Sequence, residues 1–247
     1  MSIHKKSGFE YYVKGISSPN IAFINGFRMH FSSWKEVELK CRDDMNLLFF
    51  NRSGVGDSLR ALEDQTGEVV TDAIYSLLMD FNSKESWVIV AHSLGGLYAN
   101  LFARRYPDCI RGMLLVESAH PDEVSDRQNF PPPKWISTLN NGIKSLEKLF
   151  DRYKFSEDEC ITNTVSSIKD AKGFPNIPVI VISGTRKMPF VPEDAHNCHL
   201  SRQKELLLLS SKSRSVVAKR SGHFPQITEP EIVQTALKEL LIDSAHS

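Results

Sequence analysis

Ten residues, Trp87–Gly96 (WVIVAHSLGG), constrain this chain more than any others. Val88–Ala91 form a short apolar run with β-branched residues, the pattern of a strand buried on both faces. Ser93 comes next, with Ala91 and Gly95 two positions to either side, followed by the helix-like LYANLFARRYP. A serine between strand and helix, flanked by small residues, marks a turn so sharp that larger side chains would collide with neighbouring backbone. Such a turn lifts the Ser93 hydroxyl above the sheet and aims the Leu94 amide at the same space. The helix N-terminus beneath it favours developing negative charge. A Gly-Gly turn that merely contains a serine is the plainer alternative.

The segment resembles the nucleophile elbow of the α/β-hydrolase superfamily, with Ala91 in place of the first glycine of G-x-S-x-G. The resemblance implies an α/β fold: a mostly parallel central sheet, helices on both faces and a small helical cap. Alternation along the chain points the same way. Phe9–Val13 reads as an early edge strand, and Ile21–Ile24, Leu47–Phe50, Ile110–Val116, Ile177–Ser183 and Ser215–Ala218 as further strands. Glu68–Phe81, Leu97–Tyr106, a polar segment through Leu206–Leu209 and Pro230–Leu241 read as helices. Residues 121–172 differ in composition. They are polar, carry Pro131-Pro132-Pro133, and contain two helix-like pieces, Trp135–Lys154 and Glu157–Lys169. In the superfamily an insertion here forms a cap, so the expected organisation is a hydrolase core over 1–120 and 173–247 with a helical cap over 121–172. Ordinary connecting helices would look similar.

Two loops need separate treatment. Asn25-Gly26-Phe27 follows the second strand, where the superfamily places His-Gly and then an oxyanion-hole amide; by that resemblance Phe27 and Leu94 supply the two amides. An Asn-Gly hairpin turn is the alternative. Gly54-x-Gly56 after a strand invites a dinucleotide reading, but Leu59 stands where a third small residue is needed. The string Asn51–Ser58 instead resembles the superfamily's structural D-R-x-G-x-G-x-S loop.

Serine is a poor nucleophile at neutral pH without a base in hydrogen-bond reach. The superfamily puts that base after the last strand, where Ser221-Gly222-His223 stands. His92 is expected to pack, and His120 to border the pocket. The acid usually follows the penultimate strand, but Gly184–Pro192 (GTRKMPFVP) has no carboxylate. Some members draw it from the end of the strand after the elbow helix, which points to Glu117; Asp194 is the other candidate. His196-x-Cys198-His199 suggests a metal cluster but lacks a fourth ligand at a recognised spacing, so neither metal nor cofactor is called for.

Composition closes several classes. Thirty basic and thirty acidic residues leave no net charge to favour nucleic acid or an anionic membrane. Apolar runs are strand-sized, and no signal-peptide core follows the N-terminus. Four scattered cysteines suit a cytoplasmic setting. The expected function is a serine hydrolase that cleaves a small carboxylic ester or related acyl compound through an acyl-enzyme, because the aspartate nucleophile of related dehalogenases and epoxide hydrolases is absent. A small-molecule receptor on the same fold is the alternative.

Overall fold

The computed structural model describes residues 3–18, 20–126, 129–130, 147–148, 150–189 and 191–245. Most of the expected helix Trp135–Lys154, and the triple proline before it, lie outside the described residues.

Eight strands form one sheet in the order β1-β2-β4-β3-β5-β6-β7-β8. They are β1 (His4–Lys6), β2 (Phe9–Lys14), β3 (Ile21–Ile24), β4 (Leu47–Asn51), β5 (Trp87–His92), β6 (Ile110–Val116), β7 (Val179–Gly184) and β8 (Ser213–Ala218). From β4 to β8 all pairings are parallel; β1 and β2 are antiparallel additions at one side. Phe9–Val13 is therefore not the edge. The exposed His4–Lys6 is, joined through Ser7 and Gly8 at φ 50° and 85°. Two successive left-handed residues make the hairpin turn that suits strand twist. A three-residue polar strand has no apolar alternation to announce it.

Longer helices are α1 (Gly67–Phe81), α2 (Gly95–Arg105), α3 (Ile161–Asp170), α4 (Glu193–Glu205) and α5 (Pro230–Ala245). Thr66 caps α1, its hydroxyl accepting from the Val69 amide at 3.3 Å. Two apolar cores lie on opposite faces of the sheet. Ala22 and Ile24 of β3 face one, with Val70, Ile74, Leu97 and Phe102 from α1 and α2. Ile21 and Phe23 face the other, with Trp34 and with Val233, Leu237 and Leu240 from α5. Strand alternation thus divides one strand between two cores. Among the described residues no helix is long and apolar enough to cross a membrane.

This architecture brings the carboxyl ends of β3, β5, β6 and β7 side by side. In open parallel sheets that rim is where ligands bind. Between β6 and β7 the described residues include the short helices Glu123–Asp126 and Ser156–Glu159, and then α3.

Candidate active site

β5 is buried at all six positions, and it delivers the chain into Ser93 at φ 52°. A non-glycine residue in this region carries strain of about 1–3 kcal/mol, which must be held by its surroundings. The hold is visible beneath it. A Cβ on Gly95 would stand 2.6 Å from the carbonyl oxygens of Ile24 and Asn25, and one on Gly96 would overlap the Ser118 side chain. Ser93 itself is partly exposed at the start of α2.

The loop after β3 passes directly alongside. A Cβ on Gly26 would lie 3.3 Å from Ser93 Cβ and 2.9 Å from His92 Nδ1. This loop is not a hairpin, since β3 pairs in parallel on both sides. Asn25 is buried and spends its side chain on the scaffold: Trp34 Nε1 donates to its Oδ1 at 2.8 Å, and its Nδ2 donates to the Phe50 carbonyl at 3.0 Å. Arg52 clamps the same loop, donating to the carbonyls of Asn25 at 2.7 Å and Gly26 at 3.1 Å. The Gly26 carbonyl and the Phe27 N–H belong to one trans peptide, so fixing the oxygen points the N–H the other way. Arg52 is in turn paired with buried Glu157 at 2.5 and 2.9 Å. Among the described residues, neither the Phe27 nor the Leu94 amide donates to another backbone carbonyl.

His223 Nε2 lies 3.0 Å from Ser93 Oγ. Its loop follows β8 and is tied down by buried Glu229, which accepts from the Ser221 hydroxyl at 2.6 Å and the Arg220 amide at 2.8 Å. Gly184 and Gly222 let the β7 and β8 loops touch: a Cβ on Gly222 would lie 2.7 Å from the Arg186 carbonyl. Behind His223 stands His92, 1% exposed, with Nε2 2.7 Å from the His223 carbonyl oxygen. A carbonyl can only accept, so His92 donates from Nε2. Burial, then the neighbouring His223, push its pKa down to about 3, and the ring is neutral.

Glu117, 3% exposed, is left-handed as well, at φ 46° just past β6. Its Oε1 accepts from the Gly184 amide at 2.6 Å, and its Oε2 lies 3.4 Å from His223 Nδ1. Asp194, by contrast, is exposed in the first turn of α4. The structure therefore brings Ser93, His223 and Glu117 into one line and leaves Asp194 outside it.

Glu117 has a second imidazole that sequence reasoning did not assign. His199 Nε2 lies 3.0 Å from the same Oε2, and His199 Nδ1 lies 3.1 Å from Glu123 Oε1. Burial works to raise the Glu117 pKa, but hydrogen bonds from His199 and then His223 outweigh it, and the carboxyl titrates at about 2. Burial likewise works to lower His199, yet hydrogen bonds to Glu117 and Glu123 carry it up to about 10. The His196-Cys198-His199 cluster does not converge, because Cys198 Sγ turns to Asp126 at 3.4 Å.

His120 gathers with Asp122 and Glu205 in a set of metal-ligating type. Lys169 on Asp122 at 2.8 Å and Arg202 on Glu205 at 2.6 Å already offset those acids.

Relatives agree with the architecture. A family model for the alpha/beta hydrolase fold matches residues 19–159. The Bacillus subtilis protein YqjL is 27% identical over 229 residues, covering 92% of this chain and 85% of its own. An alpha/beta superfamily hydrolase from Oenococcus oeni superposes with a TM-score of 0.71 at 15% identity, covering 99% of this chain and 100% of that one. A thermophilic esterase from Thermogutta terrifontis gives 0.64 at 19% identity, covering 96% and 93%. With the family model spanning more than half the chain and the eight-stranded sheet behind it, this protein belongs to the alpha/beta hydrolase fold family.

Proposed function

We propose that this chain is a serine hydrolase acting on a small carboxylic ester or related acyl compound. One observation carries the reading: Ser93 Oγ, His223 and Glu117 stand in sequence, at 3.0 and 3.4 Å, while the Phe27 and Leu94 amides donate to no backbone carbonyl among the described residues. Neutral His223, its Nδ1–H turned to Glu117, takes the Ser93 proton on Nε2 as Oγ attacks the acyl carbon. The carbonyl oxygen becomes an oxyanion, which the Phe27 and Leu94 amides stabilise. The imidazolium then protonates the leaving alkoxide, and the acyl group remains on Ser93. Water, deprotonated by His223, attacks the acyl-enzyme and releases the acid. Glu117 stays ionised throughout; it orients the ring and stabilises its charge.

In this reading residues 121–172 cap the site, with Glu157 as the strap from cap to oxyanion loop through Arg52. No cofactor or metal enters any step. Four unpaired thiols are compatible with a reducing, cytoplasmic setting, which is part of the same proposal.

The test is hydrolysis of p-nitrophenyl acetate, butyrate and octanoate by wild type and Ser93→Ala. Wild type should turn over at least the shorter esters, and Ser93→Ala should lose roughly 10⁴–10⁶ in turnover with an unchanged fold. Saturable ester binding with no turnover in wild type would instead favour a receptor.

A further inference from the structure

His199 lies between two carboxylates that come from different elements, Glu117 at the end of β6 and Glu123 in the short helix beyond it. A carboxylate without its proton can only accept. A histidine that serves one on each ring nitrogen must therefore donate from both, and an imidazole with two N–H groups is a cation. The three charges form a unit of two carboxylates and one imidazolium, held from α4.

We propose that His199 is a positioning residue of the Ser93–His223–Glu117 site: a fixed cation that holds Glu117 Oε2 in place and moderates the negative charge Glu117 presents to His223. This rests on the serine-hydrolase reading above for its consequence in catalysis, and on geometry alone for its electrostatics.

Three N–H groups converge on Glu117. Gly184 N takes Oε1, while His199 and His223 share Oε2, His199 being the nearer at 3.0 Å against 3.4 Å. With Glu117 only 4% exposed on its side chain, water does little to hold or screen it. His199 is itself 18% exposed, shielded by α4 and the Glu123 helix. Among the described residues, charged groups on the adjoining turns are already paired. Asp126 of the Glu123 helix pairs with Arg202 of α4 at 2.6 Å, and Asp122 with Lys169 at 2.8 Å. His120 lies 3.9 Å from Glu205. Neutral His92 stands on the far side of His223.

The sign of the effect follows. A cation on Glu117 opposes the imidazolium at His223, so it keeps the ring neutral, and able to act as base, to lower pH. Replacing His199 by a neutral residue leaves Glu117 fully charged and free to turn to His223. The imidazolium is then favoured, and activity should appear only at higher pH.

The experiment compares wild type, His199→Gln and Glu123→Gln by histidine-ring NMR titration and by the pH dependence of kcat/KM on p-nitrophenyl butyrate. In wild type, His199 should keep both ring protons through neutral pH. In His199→Gln, His223 should titrate at higher pH than in wild type. The acid limb of kcat/KM should move up with it by about 0.5–1 pH unit, with kcat down about 3–10-fold. Glu123→Gln, which retains the imidazole, should lower the pH at which His199 loses its proton; that arm decides the matter if His199→Gln fails to fold. A lower kcat with both the limb and the His223 titration unmoved would reduce His199 to a dock for α4 and overturn the proposal, as would a His199 neutral at pH 7. If the His223 titration moves but wild type hydrolyses no ester, the serine-hydrolase reading fails while the electrostatic role of His199 stands.

Discussion

The two flanks of His223 are built on opposite principles. On one side His92 is a buried, neutral imidazole at the end of β5 that gives its single N–H to the His223 carbonyl. On the other, Glu117 and His199 are buried or half-buried ions that satisfy each other. The neutral flank fixes the His223 backbone; the ionic flank fixes its ring. If His223 is to gain and lose a proton, it needs a rigid seat with no charge of its own and, opposite, a fixed charge whose attraction grows as the proton arrives. Histidine fills one place on each side because its protonation follows its neighbours.

Breaking the ionic flank should cost most. Glu117→Gln keeps the shape but removes the charge and favours the wrong ring tautomer, so kcat should fall roughly 10²–10⁴-fold in ester hydrolysis. Asp194→Asn, at an exposed site, should stay close to wild type. The reverse ranking would move the acid to α4.

Next comes the clamp on the loop after β3. Arg52→Met strands the Glu157 carboxylate in a buried site, which should cost about 3–5 kcal/mol in denaturant unfolding. Because it also frees the Gly26–Phe27 peptide, kcat should fall more than KM rises. A mutant of normal stability would mean that Glu157 finds water or another partner.

The neutral flank should be softer. His92→Leu leaves the His223 carbonyl without its donor, for about 1–3 kcal/mol of stability and a smaller loss of kcat than Glu117→Gln. Equal losses would erase the distinction between the flanks.

The smallest effects should have opposite pH signs. His92 has a depressed pKa, so its contribution is present above its unfolded value of about 6.5 and is lost as pH falls towards about 3. His199 has a raised pKa, so its contribution is full below about 6.5 and is lost as pH rises through about 10. Glu117 contributes above about 4.5, and that is lost as pH falls through about 2. In melting curves, the difference between wild type and His199→Gln should shrink from pH 6.5 to 10. The acid-side loss below pH 6.5 should be weaker in His92→Leu. Parallel pH profiles for all three proteins would contradict both assignments.

What could be read from the chain follows the same division. The turn at Ser93 is announced locally, by a buried strand and small flanking residues, whereas His223 and Glu117 are singled out only by where the superfamily places its base and, in some members, its acid; the structure puts the three side chains in contact. His199 was not legible, since its partner lies 82 residues away and only the packing of α4 against the end of β6 joins them. The Arg52–Glu157 clamp spans 105 residues and was equally hidden. Left-handed backbone at Glu117 leaves no mark in the sequence either. The sheet was legible wherever strands are buried on both faces; its exposed edge, His4–Lys6, was missed because a polar edge strand looks like loop.

The central claim is that Ser93 is the nucleophile and His223 its base. The most direct measurement is labelling with a fluorophosphonate at neutral pH, followed by peptide mass mapping of the adduct in wild type, Ser93→Ala and His223→Ala. The expected result is one adduct, on Ser93, absent from Ser93→Ala and formed orders of magnitude more slowly in His223→Ala. An adduct on another residue, or labelling that persists undiminished in Ser93→Ala, would contradict it.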